Sequence, residues 1–180
     1  MPNLEVKIQK TKLAKSLEKT LNIKWELNQQ FPYDAGFDLR ACIDRALILL
    51  PTGHTTIPTG IHVEFSEPNW EMQVRPRSGL AAEHGITVLN TPGTVDFGYR
   101  KEIQVILYNC DVYDDFQINP GDRIAQACFR EIPQVNFTYV DAVSETITIQ
   151  DDTVKAASLA DEMKRKLSLK RGGLGSTGKQ

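Results

Sequence analysis

The sequence predicts an all-β fold, a jelly-roll-like antiparallel barrel, and two observations support this prediction. Apolar and polar residues alternate over many short segments, as in strands that bury one face. Turn residues rich in Gly, Pro and Asn separate these segments at 51–53, 58–60, 67–69, 91–93 and 119–121. Short strands joined by such turns, with no intervening helices, indicate a sandwich or jelly roll and argue against a parallel α/β fold.

The first elements are a strand and a short helix. Apolar residues alternate over 4–8 and predict the strand. Leu13, Leu17 and Leu21 recur at helical spacing within 11–21, with Lys on the other faces. We expect a short amphipathic helix that connects the first strand to the barrel.

From Phe37 onward, apolar and polar residues alternate with a period of two. We expect a strand at each run of alternating apolar residues: Phe37, Leu39 and Ala41; Ile61, Val63 and Phe65; Trp70, Met72 and Val74; Ile103, Val105 and Leu107; and Val135, Phe137 and Tyr139.

The composition changes after Ile149. Asp151 and Asp152 are typical of a helix N-cap, and 153–167 contains neither Gly nor Pro. The Gly-rich residues 171–180 cannot hold regular structure by propensity. We therefore predict a barrel domain over 1–149, a helical insertion over 150–170 and a flexible C-terminal arm over 171–180. The insertion either packs on the outside of the barrel or is a solvated connector.

Composition narrows the class of protein. The 180 residues carry 21 basic and 23 acidic side chains, a formal net charge of -2, which suits one soluble globular domain and not a protein that binds polyanions by bulk charge. Cys42, Cys110 and Cys128 are too few and too widely spaced for a disulfide framework or a zinc cluster. No apolar run is long enough for a signal peptide or a membrane span, so we expect a cytoplasmic protein.

Residues 76–81 carry the sharpest local signal. Arg77, Ser78 and Gly79 follow an alternating strand and offer a guanidinium group, a hydroxyl and accessible backbone N–H groups to a phosphate. A structural turn with an exposed arginine explains this segment equally well on its own.

Three further segments carry candidate chemistry. Residues 90–100 suggest a hairpin in which Asp96 could act as a general base on water and Tyr99 could stack on a sugar or base. Residues 121–126 place the ion-pair-capable Asp122 and Arg123 before Gln126, which could orient a water. The Gly-rich 173–178 could wrap a polyphosphate, although it is not a Walker A loop.

Taken together and in this order, these segments resemble the trimeric dUTP diphosphatase (dUTPase) family. The matching segments are 35–41, 76–81, 90–99, 121–126 and 173–178. The resemblance implies a β jelly roll and a homotrimer whose three subunits build three shared active sites. It also implies that water attacks the α-phosphorus of dUTP, with Mg²⁺ on the triphosphate, to give dUMP and pyrophosphate. That reaction limits uracil incorporation into DNA and supplies dUMP for dTTP synthesis.

The resemblance also implies roles for individual residues. Asp96 matches the aspartate that prepares the attacking water, Gln126 the glutamine that helps hold it, and Asp38 the acid that anchors the water ligands of the metal. Asp122 and Arg123 match a pair that supports the site structurally. Other residues match substrate-binding positions of the family. Arg77, Ser78 and Gly79 match the phosphate-binding segment, and Asn90, Gly93, Thr94 and Val95 match the part of the hairpin that binds uracil. Tyr99 matches the aromatic residue that packs on deoxyribose and excludes a 2′-OH, Gln104 matches a position that faces the nucleotide, and the arm contributes Arg171, Leu174, Gly175, Ser176 and Thr177.

The chain departs from the family pattern at three positions. Leu174 stands where the family usually has a Phe that stacks over uracil. Arg171 lies closer to that position than the family's arginine does, so Lys170 or Lys179 could take its place as a point charge. Lys101 replaces a common glycine after the hairpin.

Two other functions remain open at this stage. A dCTP deaminase shares the barrel and the phosphate-binding Arg-Ser pair, and it would use Glu102 as a proton shuttle. A nucleotide-controlled binding module would sense dUTP and engage a protein partner through the added N- or C-terminal helix. A structural jelly roll of the capsid type explains less, because it has no need of Asp38, Asp96 and Gln126.

Overall fold

The computed structural model describes residues 4–143. The predicted insertion over 150–170 and the arm over 171–180 lie outside the described residues, as do the arm candidates Arg171, Leu174, Gly175, Ser176 and Thr177. The predicted domain boundaries therefore stay predictions. The chain divides into two compact units, Met1–Gln134 and Val135–Gln180, and the first contains every helix and strand given below.

The described chain is built mainly from short strands. In chain order its elements are β1 Val6–Lys10, α1 Lys12–Thr20, β2 Phe37–Arg40, β3 Leu47–Leu49, β4 His54–Pro58, β5 Ile61–Phe65, β6 Trp70–Arg75, α2 Ser78–His84, β7 Ile86–Val88, β8 Gly93–Val95, β9 Gln104–Asn109, β10 Phe116–Ile118 and β11 Arg123–Glu131.

The strands pair into antiparallel sheets, as the alternating pattern predicts. The largest has the order β2-β11-β6-β8, and a second has the order β4-β9-β7. β1 pairs with β5, and β3 with β10. The all-β, jelly-roll-like fold class is confirmed.

The N-terminal helix forms where the sequence predicts it, but its buried face differs. The side chain of Thr11 caps α1 by accepting a hydrogen bond from the backbone N–H of Ala14 at 3.2 Å. Ala14 and Leu17 are buried, whereas Leu13 and Leu21 are each 39% exposed. A helix this short needs only one turn of apolar contact, and Ala14 provides the close approach.

The expectation that no helix intervenes between the strands is wrong. Helix α2, Ser78–His84, is separated from β6 by two residues and is followed by Gly85, whose φ of 63° is the left-handed conformation favoured at a helix C-terminus. Leu80, Ala81 and Ala82 are good helix formers, and the segment is too short to show an apolar stripe.

The predicted strand over 135–139 is also wrong. These residues have no regular secondary structure, and the side chains of Phe137 and Tyr139 are 82% and 98% exposed. Alternation marks a surface that can be half buried, but a strand also needs an edge to pair with. Within residues 4–143, no strand pairs with this segment.

The core lies between the sheets and fixes the elements that carry the candidate site. Leu39 of β2, Met72 of β6 and Val105 of β9 are fully buried, as is Trp25, whose indole N–H donates to the backbone carbonyl of Thr59 at 2.9 Å. Burying each such side chain contributes about 1.5–3 kcal/mol.

The three cysteines are free thiols, as the sequence predicts. Cys42 and Cys128 are buried and Cys110 is exposed. Burial raises the pKa of the Cys42 thiol. Among the described helices, none has the length and apolar character that a membrane span requires.

Candidate active site

Most of the candidate residues that the structure describes line two pockets of the chain. The first, here called the polar pocket, has a volume of about 270 Å³ and is lined by Gln30, Asp34, Ala35, Gly36, Asp38, Arg77, Ser78, Gly79 and Gln126. The second, here called the hairpin pocket, has a volume of about 220 Å³ and is lined by Thr56, Val74, Asn90, Gly93, Thr94, Val95, Tyr99, Ile103, Gln104 and Ile106.

Sheet register assembles the polar pocket. Asp38 of β2 lies opposite Gln126 of β11, which in turn lies opposite Arg75 of β6. β6 ends at Arg75, so Arg77 and Ser78 follow at the same end of the sheet. Residues that are far apart in the sequence therefore meet at one sheet end.

Asp38 is the electrostatic centre of the polar pocket. Its Oδ1 accepts a hydrogen bond from Arg77 Nε at 3.1 Å, and its Oδ2 accepts one from Arg123 Nη1 at 3.1 Å. Arg77 Nη1 also donates to the carbonyl of Arg123 at 3.1 Å. The carboxylate thus fixes the plane of the Arg77 guanidinium group, which a phosphate would meet.

Asp122 and Arg123, although adjacent in the sequence, bind different partners. The Oδ2 of Asp122 accepts the backbone N–H of Asn119 at 2.7 Å, as in a turn that the side chain stabilises. The side chain of Arg123 instead reaches Asp38, so Asp122 keeps the predicted structural role and Arg123 joins the candidate site.

Three arginines, Arg40, Arg77 and Arg123, lie close enough to Asp38 to interact with its charge. Burial and the neighbouring guanidinium group of Arg123 lower the pKa of Arg40. The lining of the polar pocket itself contains Arg77 together with Asp34 and Asp38, so an anion there would be met by one fixed guanidinium group and not by an excess of positive charge.

Gly36 lets Gln126 take its position. A Cβ on Gly36 would lie 1.8 Å from Gln126 Oε1, which only a glycine permits. The other end of the amide, Gln126 Nε2, donates to the carbonyl of Pro76 at 2.8 Å. The amide is therefore fixed, and its oxygen is an acceptor in the pocket wall.

Strand β8 and the following loop form the hairpin pocket. Gly93 of β8 lies opposite Val74 of β6, and the Asn90 side chain packs against it, since a Cβ on Gly93 would lie 3.1 Å from Asn90 Nδ2. The Tyr99 hydroxyl donates to the carbonyl of Glu102 at 3.0 Å. Lys101 does not strain this loop, because Asn22, Tyr33 and Thr52 are the non-glycine residues with positive φ in the described chain.

Asp96 lies outside the linings of both pockets. It follows β8 and is exposed. Gln126 is in register with Arg75 on β6, whereas Val95 is in register with Met72, so Asp96 lies toward the opposite end of the sheet. Asp96 and Gln126 are separated by two strand spacings across the sheet and by about four residues along the strands, which together amount to about 16 Å.

The described residues offer no cluster of three or more His, Cys, Asp or Glu side chains that could hold a metal ion. Both oxygens of Asp38 accept bonds from arginines, but a carboxylate has roughly four lone-pair sites and can also accept bonds from metal-bound water. This arrangement fits Mg²⁺ that is held mainly by phosphates and water, with a protein carboxylate in its outer shell.

The dUTPase family model matches residues 24–155, which includes both pockets. This chain belongs to the dUTPase family. It is 54% identical over 112 residues to a deoxyuridine 5'-triphosphate nucleotidohydrolase from Treponema denticola, covering 62% of this chain and 76% of the relative. The corresponding values for an enzyme of the same name from Brucella melitensis are 49% over 114 residues, 62% and 71%.

Solved structures show the same fold. A mutant dUTPase from phage phi11 of S. aureus, described with a structural Mg(II) ion, superposes with a TM-score of 0.62 at 18% identity and covers 78% of this chain and 98% of its own. A mutant dUTPase of Staphylococcus bacteriophage 80alpha gives a TM-score of 0.63 at 18% identity, covering 86% and 96%.

The dUTPase pattern did not reveal every residue that lines the pockets. Gln30 and Asp34 line the polar pocket from the irregular segment before β2, and Thr56 lines the hairpin pocket from β4. The position of Asp34 next to the 35–41 motif in the sequence could have identified it as a pocket residue. No sequence signal identifies Thr56, because only its register opposite Ile106 places it in the hairpin pocket.

Proposed function

We propose that this member of the dUTPase family hydrolyses dUTP to dUMP and pyrophosphate. The observation that carries the proposal is the division of the site into a polar pocket that presents the fixed Arg77 guanidinium group and a separate pocket lined by a hairpin. The first suits a triphosphate and the second suits a nucleoside. The relatives' name, deoxyuridine 5'-triphosphate nucleotidohydrolase, identifies the nucleotide.

The phosphates bind at Arg77, Ser78 and Gly79 in this proposal. The Arg77 guanidinium group is already fixed by Asp38 and by the carbonyl of Arg123, so little freedom is lost when it meets a phosphate. Asp38 would hold Mg²⁺ through water ligands, and the metal would supply charge neutralisation at the phosphate oxygens.

Water is the nucleophile, and no covalent intermediate is needed. Asp96 accepts its proton as a general base while Gln126 Oε1 accepts a hydrogen bond from the same water. A positioned water and a placed base account for the rate by proximity and by acid–base catalysis.

The hairpin selects the base and the sugar. Asn90 and the backbone of 93–95 present donors and acceptors of fixed polarity to uracil, which distinguishes it from cytosine. The ring of Tyr99 packs on deoxyribose and leaves no room for a 2′-OH, and Gln104 faces the nucleotide. Such exclusion by shape discriminates without additional attractive contacts.

We propose that the active site is shared between copies of the chain in a homotrimer. Asp96 and Gln126 of one chain are about 16 Å apart by strand register, too far to hold one water. This separation supports the proposal that a second copy supplies Asp96 to the polar pocket of the first.

We also propose that the arm completes the site. Arg171, Gly175, Ser176 and Thr177 contact phosphate, and Leu174 covers uracil without an aromatic face. The loss of that face costs about 1 kcal/mol of stacking.

The free thiols favour a reducing compartment, which supports the cytoplasm as the location.

The dCTP deaminase alternative is disfavoured by the orientation of Glu102. Its Oε1 accepts the backbone N–H of Gly60 at 2.7 Å, and Glu102 is not among the residues that line the hairpin pocket. A proton shuttle would have to leave that bond and turn toward the nucleotide.

The test is a panel of dUTP, dCTP, dTTP and UTP, with and without Mg²⁺, that measures pyrophosphate and ammonia. We expect Mg²⁺-dependent pyrophosphate release from dUTP and none from Asp96→Asn. Faster turnover of dCTP with ammonia would establish the deaminase. If neither the wild type nor Asp96→Asn releases pyrophosphate, although both still bind dUTP, the nucleotide-controlled binding module would be favoured.

A further inference from the structure

Glu102 has no role in the proposed chemistry, yet its side chain is firmly held. It lies between the hairpin loop and β9, and its carboxylate is partly buried against the turn that joins β4 to β5. The backbone N–H of Gly60 in that turn donates to Glu102 Oε1 at 2.7 Å. This is a short, charge-assisted hydrogen bond.

The turn that holds Glu102 is itself a rigid support. The carbonyl of Gly60 accepts the N–H of Thr11 at 2.8 Å, and Trp25 Nε1 donates to the carbonyl of Thr59 at 2.9 Å. Gly60 packs so closely that a Cβ there would lie 2.6 Å from the Cβ of Ala14 and 2.7 Å from Cys42 Sγ. Motion of this turn therefore requires disruption of the core.

The next residue, Ile103, is tied to the same turn. The N–H of Thr59 donates to the carbonyl of Ile103 at 3.0 Å, and the N–H of Ile103 donates to the carbonyl of Ile61 at 2.9 Å. The Thr59 hydroxyl also donates to the carbonyl of Ile103 at 2.7 Å, so with the carboxylate on Gly60 the backbone at 102–103 is fixed at four points.

Tyr99 depends on this fixed backbone. Its hydroxyl donates to the carbonyl of Glu102 at 3.0 Å, and its N–H donates to the carbonyl of Asp96 at 3.0 Å. Both ends of Tyr99 are thereby anchored, and one anchor is the peptide group of the residue that Gly60 holds.

We propose that Glu102 is a positioning residue that fixes the ring of Tyr99 through Gly60 and thereby sets the discrimination between deoxyribonucleotides and ribonucleotides. This inference rests on the proposed function, in which Tyr99 excludes a 2′-OH. If the carboxylate is lost, the N–H of Gly60 has no partner, and the peptide that accepts the Tyr99 hydroxyl loses one of its fixed points. A ring that can shift leaves room for the extra hydroxyl.

The test compares Glu102→Ala with Glu102→Gln, which keeps an acceptor oxygen. The exposed Glu131 at the end of β11 provides a matched control, Glu131→Ala. The measurement is the ratio of kcat/KM for dUTP to that for UTP. We expect Glu102→Ala to lower this ratio about tenfold, mainly through a change in KM and not in kcat. The ratios for Glu102→Gln and the control should stay within about twofold of the wild-type ratio.

Two further measurements keep the inference open to refutation. If Glu102→Ala does not fold, Tyr99→Phe removes the same anchor from the other side and must lower the ratio similarly. The relative affinity for dUMP and UMP, measured by calorimetry, tests the inference without turnover. A wild type that prefers dUMP to UMP but hydrolyses no dUTP would refute the proposed function alone.

Several outcomes would overturn the role of Glu102. A folded Glu102→Ala with an unchanged ratio in both measurements would do so. An equal loss in Glu102→Gln and Glu102→Ala would also overturn it, since the acceptor would then be irrelevant. A wild type without preference between dUMP and UMP would remove the property that Glu102 is inferred to set.

Discussion

The polar pocket and the hairpin pocket are built by different means. In the polar pocket, Asp38, Arg77 and Gln126 come from three strands or strand ends; Asp38 and Arg77 form an ion pair, and the Gln126 side chain donates to the carbonyl of Pro76. In the hairpin pocket, most of the lining belongs to one segment, 90–106, and its shape depends on backbone hydrogen bonds. The comparison suggests that phosphate binding depends on a few charges, whereas base and sugar selection depends on the path of the main chain.

The same comparison separates the effects expected of substitutions. A change in the polar pocket should affect triphosphate binding and the rate. A change that loosens the hairpin should affect selectivity first. Asp96 connects the two, because it follows the hairpin strand β8 in sequence but acts at the polar pocket of another copy in the proposed site.

The largest effect is expected for Asp96→Asn. Loss of the general base should lower kcat about a thousandfold, with little change in the affinity for dUMP. Pyrophosphate release and calorimetry measure the two quantities. The exposed Asp115→Asn is the matched control and should behave as wild type. Retention of most activity by Asp96→Asn would exclude its role as the base.

Arg77→Ala should have the next largest effect, confined to the phosphates. The loss of a charge-assisted contact should weaken pyrophosphate and dUTP binding about a hundredfold, with a much smaller effect on deoxyuridine. The affinities for pyrophosphate, dUTP and deoxyuridine are measured by calorimetry. The control variant is Arg45→Ala, which removes an exposed arginine on another loop. Equal weakening of deoxyuridine would mean that the two pockets are not separate in function.

Gly36→Ala should lower kcat about tenfold by displacing the Gln126 amide. A Cβ there meets Gln126 Oε1 at 1.8 Å, whereas a Cβ on Gly98 would meet nothing within 4 Å, so Gly98→Ala is the matched control. Both proteins should bind dUMP, and steady-state kinetics with thermal unfolding distinguishes displacement from unfolding. Unchanged kcat in a folded Gly36→Ala would show that the position of Gln126 is unimportant.

Thr11→Ala should have the smallest effect on activity, since α1 lies outside both pocket linings. Loss of the N-cap bond to Ala14 should lower the free energy of unfolding by about 1 kcal/mol, as measured by denaturant unfolding. Activity and the ratio of dUTP to UTP turnover should stay at the wild-type values. A change in that ratio would mean that the helix end contributes to the position of Gly60.

The sequence predicted the barrel and most of the residues that line the two pockets, but not how they meet. Alternation identified β1, β2, β5, β6 and β9; the last four bury apolar side chains, whereas β1 has no fully buried residue. It failed at 135–139, since no local pattern reveals whether a backbone has an edge to pair with. The contact of Arg123 with Asp38 depends on the register of β11 against β2 and not on the adjacent Asp122.

The separation of Asp96 from Gln126 was likewise invisible in the order of the motifs. Motif order resembles that of a shared-site enzyme, but only the register of β8 and β11 on β6 gives a distance within one chain. Such long-range pairing is set by the whole sheet and has no local sequence signal.

The most direct test of the shared site mixes two inactive variants. Asp96→Asn and Arg77→Ala are unfolded together, refolded at equal amounts and assayed for pyrophosphate release from dUTP. If Asp96 and Arg77 of a site come from different copies, random mixing should restore about a quarter of the wild-type activity. If the mixture is no more active than the two variants alone, although light scattering shows mixed oligomers, each site lies within one chain and the account is contradicted.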